Sequence, residues 1–429
     1  MEKPLQYSLN IQFYTAGVKT EGDGVALLDD RNLILVINGN NTKSIPYFEI
    51  LGIHDEDYVV DLYCASGESV RLTQLGYEYE NFLLNLFKHR GELLLRYMLM
   101  DEKKIAYDID AHFLYVDEDG DQQKGDCEFR VYESAIIVLP QKGEPIRVPL
   151  CYIENHSIAD YVVTIASDSG ERLVLSMIGE KTDYLMKSLV RALSEMVGRV
   201  KRLLIEAAPN IDQGKISEAA ALLGDGRAAS KQQLEAISPE LWSLLEKRLK
   251  ETGLGEEYTY LTRLSKQEVW VGLKRGLMGE RTGEYTWFMT PIYDPDPTRP
   301  GNAIALEAAS GESAGRATYF FRMMSRPVYN EGINLDDLRM EAEKFVLKAN
   351  RCMIEINFRR EPIYLPVERL ATPEYERYLY AANKLSSLKL LRERYIGRVA
   401  HVNQEQWMKD TGDLLKFNVE SREDSDRWR

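Results

Sequence analysis

The chain has 429 residues, of which 44% are hydrophobic and 28% charged, and its formal net charge is −14. This composition is typical of a globular protein and excludes a fibrous or wholly disordered chain. Residues 1–200 carry 19 Lys and Arg against 33 Asp and Glu, so the first half holds the whole net charge. We therefore expect that half to repel nucleic acid and anionic membranes.

Several classes of protein are disfavoured by what the sequence lacks. Apolar runs such as residues 135–139 are too short to cross a bilayer, and residues 1–4 do not resemble a signal peptide. We expect a cytoplasmic protein. Neither the five histidines nor the four cysteines are grouped at metal-ligand spacings, so we expect reduced thiols, no metal and no cofactor. The cysteines are Cys64, Cys127, Cys151 and Cys352.

An internal repeat with a spacing of 103 residues organises the first half of the chain. Residues 22–90 align without a gap to residues 125–193, and 15 of the 69 positions are identical. Residues 57–60 return as 160–163, and residues 66–68 return as 169–171. We interpret residues 58–60 and 161–163 as core strands, and Gly67 and Gly76 as turn positions. We name the two copies repeat 1 (residues 1–100) and repeat 2 (residues 101–208).

Each copy has the same predicted order of elements. In repeat 1 we predict strands near residues 8–14 and at 25–28, 33–37, 45–50, 58–63 and 69–75. These segments are rich in β-branched and aromatic residues, which favour strands. After Gly76 the apolar residues recur every three or four positions, which predicts an amphipathic helix. Repeat 2 should begin with a strand near residues 112–116 and end with a longer helix.

This order of strands followed by one closing helix resembles the pleckstrin-homology-like (PH-like) superfold. The resemblance rests on the strand–turn–strand–Gly–helix segments 58–87 and 161–190 and on the preceding Ile45-Pro46 and Val148-Pro149. It implies two tandem PH-like barrels, each with six or seven strands and a C-terminal helix. Many PH-like domains bind peptides or proteins, and some bind phosphoinositides. Tandem acidic pairs also resemble those of some histone chaperones.

The first hairpin loops bear on two possible ligands. Phosphoinositide binders place Lys and Arg there, whereas residues 16–23 and 117–126 are net acidic, so we disfavour phosphoinositides and membranes. Asp117, Asp119, Asp121 and Glu128 match positions of a calcium loop, but Gln122 stands where that loop requires glycine. We favour a solvated acidic hairpin.

Beyond repeat 2 we predict a helical linker (residues 209–254) and a C-terminal unit (255–419), followed by a disordered tail (420–429). Short helices are expected at 216–223, 230–237 and 239–252, the last with Pro239 at its first position. In the C-terminal unit we predict strands at 258–264, 268–274, 285–292, 303–307 and 317–323. Helices should follow at 335–350 and 374–394. Strands followed by helices indicate an α+β domain.

The C-terminal unit also supplies the candidate binding surface, because aromatic and Arg side chains together can hold phosphates or bases. Its candidate residues are Trp270, Trp287, Arg322, Arg326, Arg392, Arg394 and Arg398. The competing interpretation, which we favour, is that the aromatic residues are core and the charges lie on a solvated helix face.

No phosphate-binding loop, nucleophile elbow or zinc motif occurs in the sequence. We therefore expect a non-enzymatic interaction or scaffold protein that uses its acidic repeats to bind another protein. Two alternatives stay open. One is a phosphate-ligand or nucleic-acid binder that acts through the C-terminal unit. The other is an enzyme with a dispersed site in that unit.

Overall fold

The computed structural model describes residues 5–15, 18–98, 102–265, 268–275, 284–310, 317–421 and 427. The fold is mixed α+β and contains three antiparallel sheets, with seven, seven and six strands. No helix in the described part of the chain combines the length and the apolarity needed to span a bilayer.

Repeat 1 forms the first sheet, in the strand order β4-β3-β2-β1-β7-β6-β5. Its elements are β1 Leu5–Thr15, β2 Val18–Leu28, β3 Asn32–Ile37, β4 Asn41–Pro46, β5 Ile50–Glu56, β6 Val59–Cys64, β7 Ser69–Thr73 and α1 Tyr79–Tyr97. The predicted stripe on α1 is buried through Phe82, Leu83 and Leu86, which pack with the inward side chains of the strands. Repeat 1 thus has a core of its own, joined by one distant residue, Tyr380.

Repeat 2 forms the second sheet with the corresponding strand order, β11-β10-β9-β8-β14-β13-β12. Its elements are β8 Lys104–Val116, β9 Gln122–Tyr132, β10 Ala135–Pro140, β11 Ile146–Pro149, β12 Ile153–Ala159, β13 Val162–Ser167, β14 Arg172–Ser176 and α2 Thr182–Ala207. Both copies carry an irregularity at the start of the edge strand, between Ile50 and Gly52 and between Ile153 and Asn155. The matched sequence spacing therefore corresponds to matched structure.

The interpretation of residues 58–60 and 161–163 as core strands is wrong for the first residue of each segment. Asp57 and Tyr58 form the turn between β5 and β6, both with positive φ, and Asp160 and Tyr161 do the same between β12 and β13. Tyr58 and Tyr161 are exposed rather than core residues. Each copy therefore has a β-hairpin with a two-residue turn at this point. The sequence pattern did not indicate the first strand of either hairpin, β5 in repeat 1 and β12 in repeat 2. The predicted strand at residues 45–50 is likewise split by a helical turn at Tyr47–Glu49.

The linker contains the predicted helices, α3 Gln213–Leu222, α4 Lys231–Ile237 and α5 Pro239–Leu249. It also contains a strand that was not predicted, Ala228–Ser230, which belongs to the C-terminal sheet. A further helix, α6 Gly255–Leu264, begins the C-terminal unit. The predicted strand at 258–264 is wrong, because α6 occupies that segment. The aromatic and β-branched residues of this segment favoured a strand, but Tyr258, Leu261 and Thr262 form one buried face of a helix. Tyr258 packs edge-on against Phe288 of the sheet below, at 5.4 Å between ring centroids, so tertiary packing overrides local preference.

The C-terminal sheet runs in sequence order from β15 to β20. Its strands are β15 Ala228–Ser230, β16 Trp270–Arg275, β17 Glu284–Ile292, β18 Ala303–Ser310, β19 Ala317–Arg322 and β20 Tyr395–Ala400. Its helices are α7 Arg326–Asn330, α8 Leu335–Glu355, α9 Glu361–Tyr364, α10 Val367–Leu370, α11 Glu376–Lys384, α12 Ser386–Arg394 and α13 Gln404–Glu420. Four predicted strands and the helix at 335–350 are present.

The predicted single helix at 374–394 is broken. Leu385 is extended, with φ −76° and ψ 113°, and separates α11 from α12. Immediately after the break, Ser387 is buried and its hydroxyl donates to Glu355 Oε2 at 2.5 Å. Apolar residues recur every three or four positions on both sides of Leu385, so the sequence pattern did not indicate that the helix is interrupted there. The predicted disordered tail lies mostly outside the described residues, although Glu420 is the last residue of α13.

Candidate interaction surfaces

The seven candidate residues of the C-terminal unit do not share one surface. Trp287 is fully buried, and its Nε1 donates to the carbonyl of Gly226 at 2.8 Å. Arg322 and Arg326 are also buried, and both bind Asn418 of α13. Arg322 Nε donates to the Asn418 side chain at 2.9 Å, and Arg326 Nε donates to its carbonyl at 2.7 Å. Arg322 and Arg326 thus link β19 and the residues that follow it to α13. None of the three side chains faces solvent.

The remaining four candidates lie nearer the surface in different settings. Trp270 lines an open cleft of about 430 Å³ with Lys231, Arg339 and other polar residues. Arg392 Nη1 donates to the carbonyls of Pro362, Ile363 and Leu365. Burial, with a smaller contribution from Arg427, lowers the pKa of Arg392.

Two basic residues complete the set. Arg394 is half-buried in the last turn of α12. Arg398 is exposed on β20, and its guanidinium lies 4.4 Å from the ring centroid of Tyr364. Arg398 is therefore the candidate most open to a ligand.

A buried polar cluster that the sequence did not indicate lies on the same sheet. Thr318 Oγ1 donates to Glu307 Oε2 at 2.5 Å and accepts from Trp407 Nε1 at 3.0 Å. His401 bridges two carboxylates, with Nε2 at 3.0 Å from Glu307 and Nδ1 at 3.5 Å from Glu257. Thr318 and Glu307 have no exposed surface. The cluster joins β18, β19, α6 and the start of α13, and the buried hydroxyl is already committed to Glu307.

No short motif could have found this cluster. Its members lie 11 to 94 residues from their hydrogen-bond partners, and only the sheet register brings Glu307 and Thr318 together. Among the described residues there is no group of three or more His, Cys, Asp or Glu side chains able to hold a metal ion. In the acidic loop of repeat 2, Asp117 Oδ1 instead accepts from the backbone amides of Asp119 and Asp121.

Repeat 1 contacts repeat 2 through a groove between α1 and β5, which we name the α1/β5 groove. The β10–β11 loop of repeat 2 lies against it. Lys142 Nζ lies 2.5 Å from Asp55 of β5, and Arg90 of α1 lies 2.6 Å from Glu144. Arg90 also donates to the carbonyl of Ile50 at 2.8 Å and is itself buried. Small clefts of about 290 and 270 Å³ remain on either side of the loop.

Repeat 2 is joined to the C-terminal unit by ion pairs at α8. Arg351 Nη2 lies 2.6 Å from Glu171, and Lys348 lies 2.8 Å from Glu118. Burial would raise the pKa of Glu171, but the charge and hydrogen bond of Arg351 outweigh it and hold that pKa below its ordinary value. Arg147 Nη1 donates to the carbonyl of Glu355 at 2.7 Å.

The exposed apolar side chains are concentrated on the two repeats. Most of the large exposed hydrophobic residues in the described part of the chain lie before the end of α2. On repeat 1 they include Leu51 and Tyr63, which lie next to each other near the edge of the sheet. On repeat 2 they include Ile158 of β12 and Val190 of α2. The same two repeats carry the whole net negative charge of the chain.

The chain was compared with known proteins and structures. No protein-family model and no curated protein matches it. Among solved structures, it is similar to the Spt16D Pob3N heterodimer, with 14% identity over 40% of this chain and 95% of that chain, and a TM-score of 0.17. A TM-score this low carries no argument, so the description of the fold rests on the sheets and helices above.

Proposed function

We propose that the protein is a non-enzymatic interaction protein whose two acidic repeats, each a PH-like barrel, bind another protein. The observation that carries the proposal is the concentration of exposed apolar side chains, including Leu51, Tyr63 and Ile158, on an acidic pair of sheets. Neighbouring exposed apolar groups with a polar rim are typical of protein-binding sites. The PH-like assignment is supported by the two matched seven-stranded sheets, each followed by one helix.

The domain division of the sequence analysis becomes part of this proposal. Residues 1–100 and 101–208 are taken as the two binding units, with the linker (209–254) and the C-terminal unit (255–419) as their support. One apolar core runs from repeat 2 into the C-terminal sheet and α8. A second core joins the end of α2, the linker helices and the other face of that sheet. The support is therefore packed continuously against repeat 2.

The partner should carry a basic surface, because the repeats hold the whole net negative charge. Complementary charge increases the rate of association and makes it depend on salt. Binding should therefore weaken as ionic strength rises, while the apolar contacts retain part of the affinity. The two alternatives, a phosphate-ligand binder and an enzyme with a dispersed site, have no comparable observation in their favour.

Affinity capture followed by cross-linking tests the proposal. The full-length chain is immobilised, a retained protein is identified against a bait-free control, and the purified pair is cross-linked at low and moderate salt. We expect the cross-links of the bait to map to residues 5–207. Cross-links confined to residues 255–421, or no protein retained above the control, would contradict the proposal.

A further inference from the structure

We infer that repeat 2 binds a short extended segment of a protein partner in the groove between α2 and β12, which we name the α2/β12 groove. The segment should present two apolar side chains two residues apart. This inference rests on the proposed function and identifies the surface and the chemistry of the partner. It follows from comparing the groove with its counterpart in repeat 1, which is occupied by a segment of this same chain.

The α1/β5 groove of repeat 1 supplies the template. The β10–β11 loop inserts two charged side chains, Lys142 toward Asp55 and Glu144 toward Arg90. Beside them, an added Cβ at Gly91 would lie 3.5 Å from Leu139 of β10 and 4.0 Å from Pro145 of the loop, so α1 is in close contact with this part of repeat 2. Phe87 of α1, which lines the clefts beside the loop and packs in the core of repeat 1, is only 6% exposed.

The spacing of 103 residues assigns each of these positions to a residue of repeat 2. Asp55 corresponds to Ile158, Arg90 to Leu193 and Phe87 to Val190. Both residues that form ion pairs with the loop are therefore replaced by apolar residues. A segment bound in the α2/β12 groove should correspondingly be apolar where the loop has Lys142 and Glu144.

The corresponding surface in repeat 2 is open. Ile158 is 47% exposed and Val190 is 45% exposed, in contrast to their largely covered counterparts in repeat 1. β12 is the last strand of its sheet, and every residue in it is exposed or half-buried. An edge strand offers backbone groups to which an extended segment can add, while alternate side chains enter the groove. These features favour an extended segment over a folded surface.

The probe for this inference is a labelled peptide with the sequence of residues 139–147, in which Lys142→Leu and Glu144→Leu are introduced. A second peptide keeps the natural Lys142 and Glu144. Binding of each to the full-length chain is measured by fluorescence anisotropy. We expect the substituted peptide to bind at least tenfold more tightly, because charged side chains would be desolvated against Ile158 and Leu193 without a partner.

Two single variants locate the binding site. Ile158→Asp and Val190→Asp each place a charge in the groove and should weaken binding of the substituted peptide at least tenfold. Met177→Asp is the matched control, since Met177 is also an exposed apolar residue of repeat 2 but lies in the β14–α2 turn. Equal weakening by all three variants, or equal affinity for the two peptides, would overturn the inference.

A charge-restoring variant gives a change of specificity that loss of folding cannot imitate. Ile158→Asp with Leu193→Arg recreates the chemistry of repeat 1, and this double variant should prefer the natural peptide. Sedimentation of the unmodified chain tests the other possible occupant. A dimer that Ile158→Asp abolishes would show that a second copy covers the groove, and would overturn the inference.

The experiments can distinguish a failure of this inference from a failure of the proposed function. If a partner is captured and cross-links to the repeats, but Ile158→Asp does not weaken its binding, the proposed function stands and this inference fails. If the peptide binds with the expected pattern but no partner cross-links to the repeats, the groove chemistry is supported and the proposed function fails.

Discussion

The four cysteine thiols are free and buried, as the sequence predicted. Burial, with smaller contributions from nearby carboxylates, raises the pKa of Cys64 to about 11 and that of Cys127 to about 12. The reactive thiolate is therefore scarce at pH 8, at roughly one part in a thousand for Cys64. We expect a thiol reagent to modify the folded chain much more slowly than the denatured chain, which should titrate four thiols. Rapid modification of any thiol in the folded chain would contradict this burial.

The ion pair between Arg351 and Glu171 should contribute strongly to stability. Glu171 is 4% exposed, so Arg351→Ala leaves a buried charge without its cation. The free energy of unfolding should fall by about 3 kcal/mol. Urea unfolding of the variant measures this change.

Arg191→Ala is the matched control, because Arg191 pairs with Glu195 on the exposed face of α2. That substitution should leave the free energy of unfolding unchanged within error. Similar losses in the two variants would show that the Arg351 contact is no stronger than a surface pair.

At the scale of elements, the two β-hairpins with an Asp-Tyr turn allow a comparison within one chain. Tyr58 and Tyr161 both have positive φ, which costs a side-chain-bearing residue free energy that glycine avoids. Tyr161→Gly should raise the free energy of unfolding by about 0.5–1 kcal/mol. Tyr58→Gly should raise the free energy of unfolding by less, because the ring of Tyr58 also packs against that of Tyr79, with 5.2 Å between the ring centroids. Thermal unfolding of the two variants checks the order, and a larger gain for Tyr58→Gly would contradict it.

The elements that could be predicted are those whose pattern is local. The stripe of α1 and the four strands at 268–323 follow from residue type and spacing. The break at Leu385 and the helix α6 could not be predicted, because the contacts around them are with residues distant in sequence: Ser387 bonds to Glu355, and Tyr258 packs against Phe288. Edge strands β5 and β12 were missed since their residues are mostly exposed and do not alternate clearly.

The candidate sites, like the elements, could be predicted only where the signal is local in sequence. The sequence indicated that Trp287, Arg322 and Arg326 were notable, but their chemistry is equally compatible with a core, where the structure places them. Glu307 and His401 were not indicated, because long-range pairing brings them together. The α2/β12 groove could be found only by comparing the two repeats in space. Its residues are unremarkable until the ion pairs of Asp55 and Arg90 are known.

At the scale of the whole molecule, the half-buried carboxylate of Glu144 and the buried carboxylate of Glu171 join the units, and their protonation should weaken the contacts between them. Burial would raise the pKa of Glu144, but the charge of Arg90 and a hydrogen bond from Lys384 outweigh it and hold that pKa below its ordinary value. Glu171 has its pKa lowered in the same way. A carboxylate with a lowered pKa in the folded state stabilises the fold above its unfolded-state pKa, about 4.3. That contribution is lost as the pH falls through the folded-state value.

We therefore expect the free energy of unfolding to vary little between pH 7 and about pH 5 and to decrease below about pH 4. Glu102 opposes this trend, because burial raises its pKa and favours its neutral form. Glu144→Gln removes one contribution and should make the acid-induced loss of stability smaller, whereas Glu195→Gln on the exposed face of α2 should not. Urea unfolding at a series of pH values measures both variants. A free energy of unfolding that rises as the pH falls from 7 toward the unfolded-state pKa, and does not decrease below pH 4, would show that the Glu102 carboxyl, rather than the ion pairs of Glu144 and Glu171, controls how the units respond to acid.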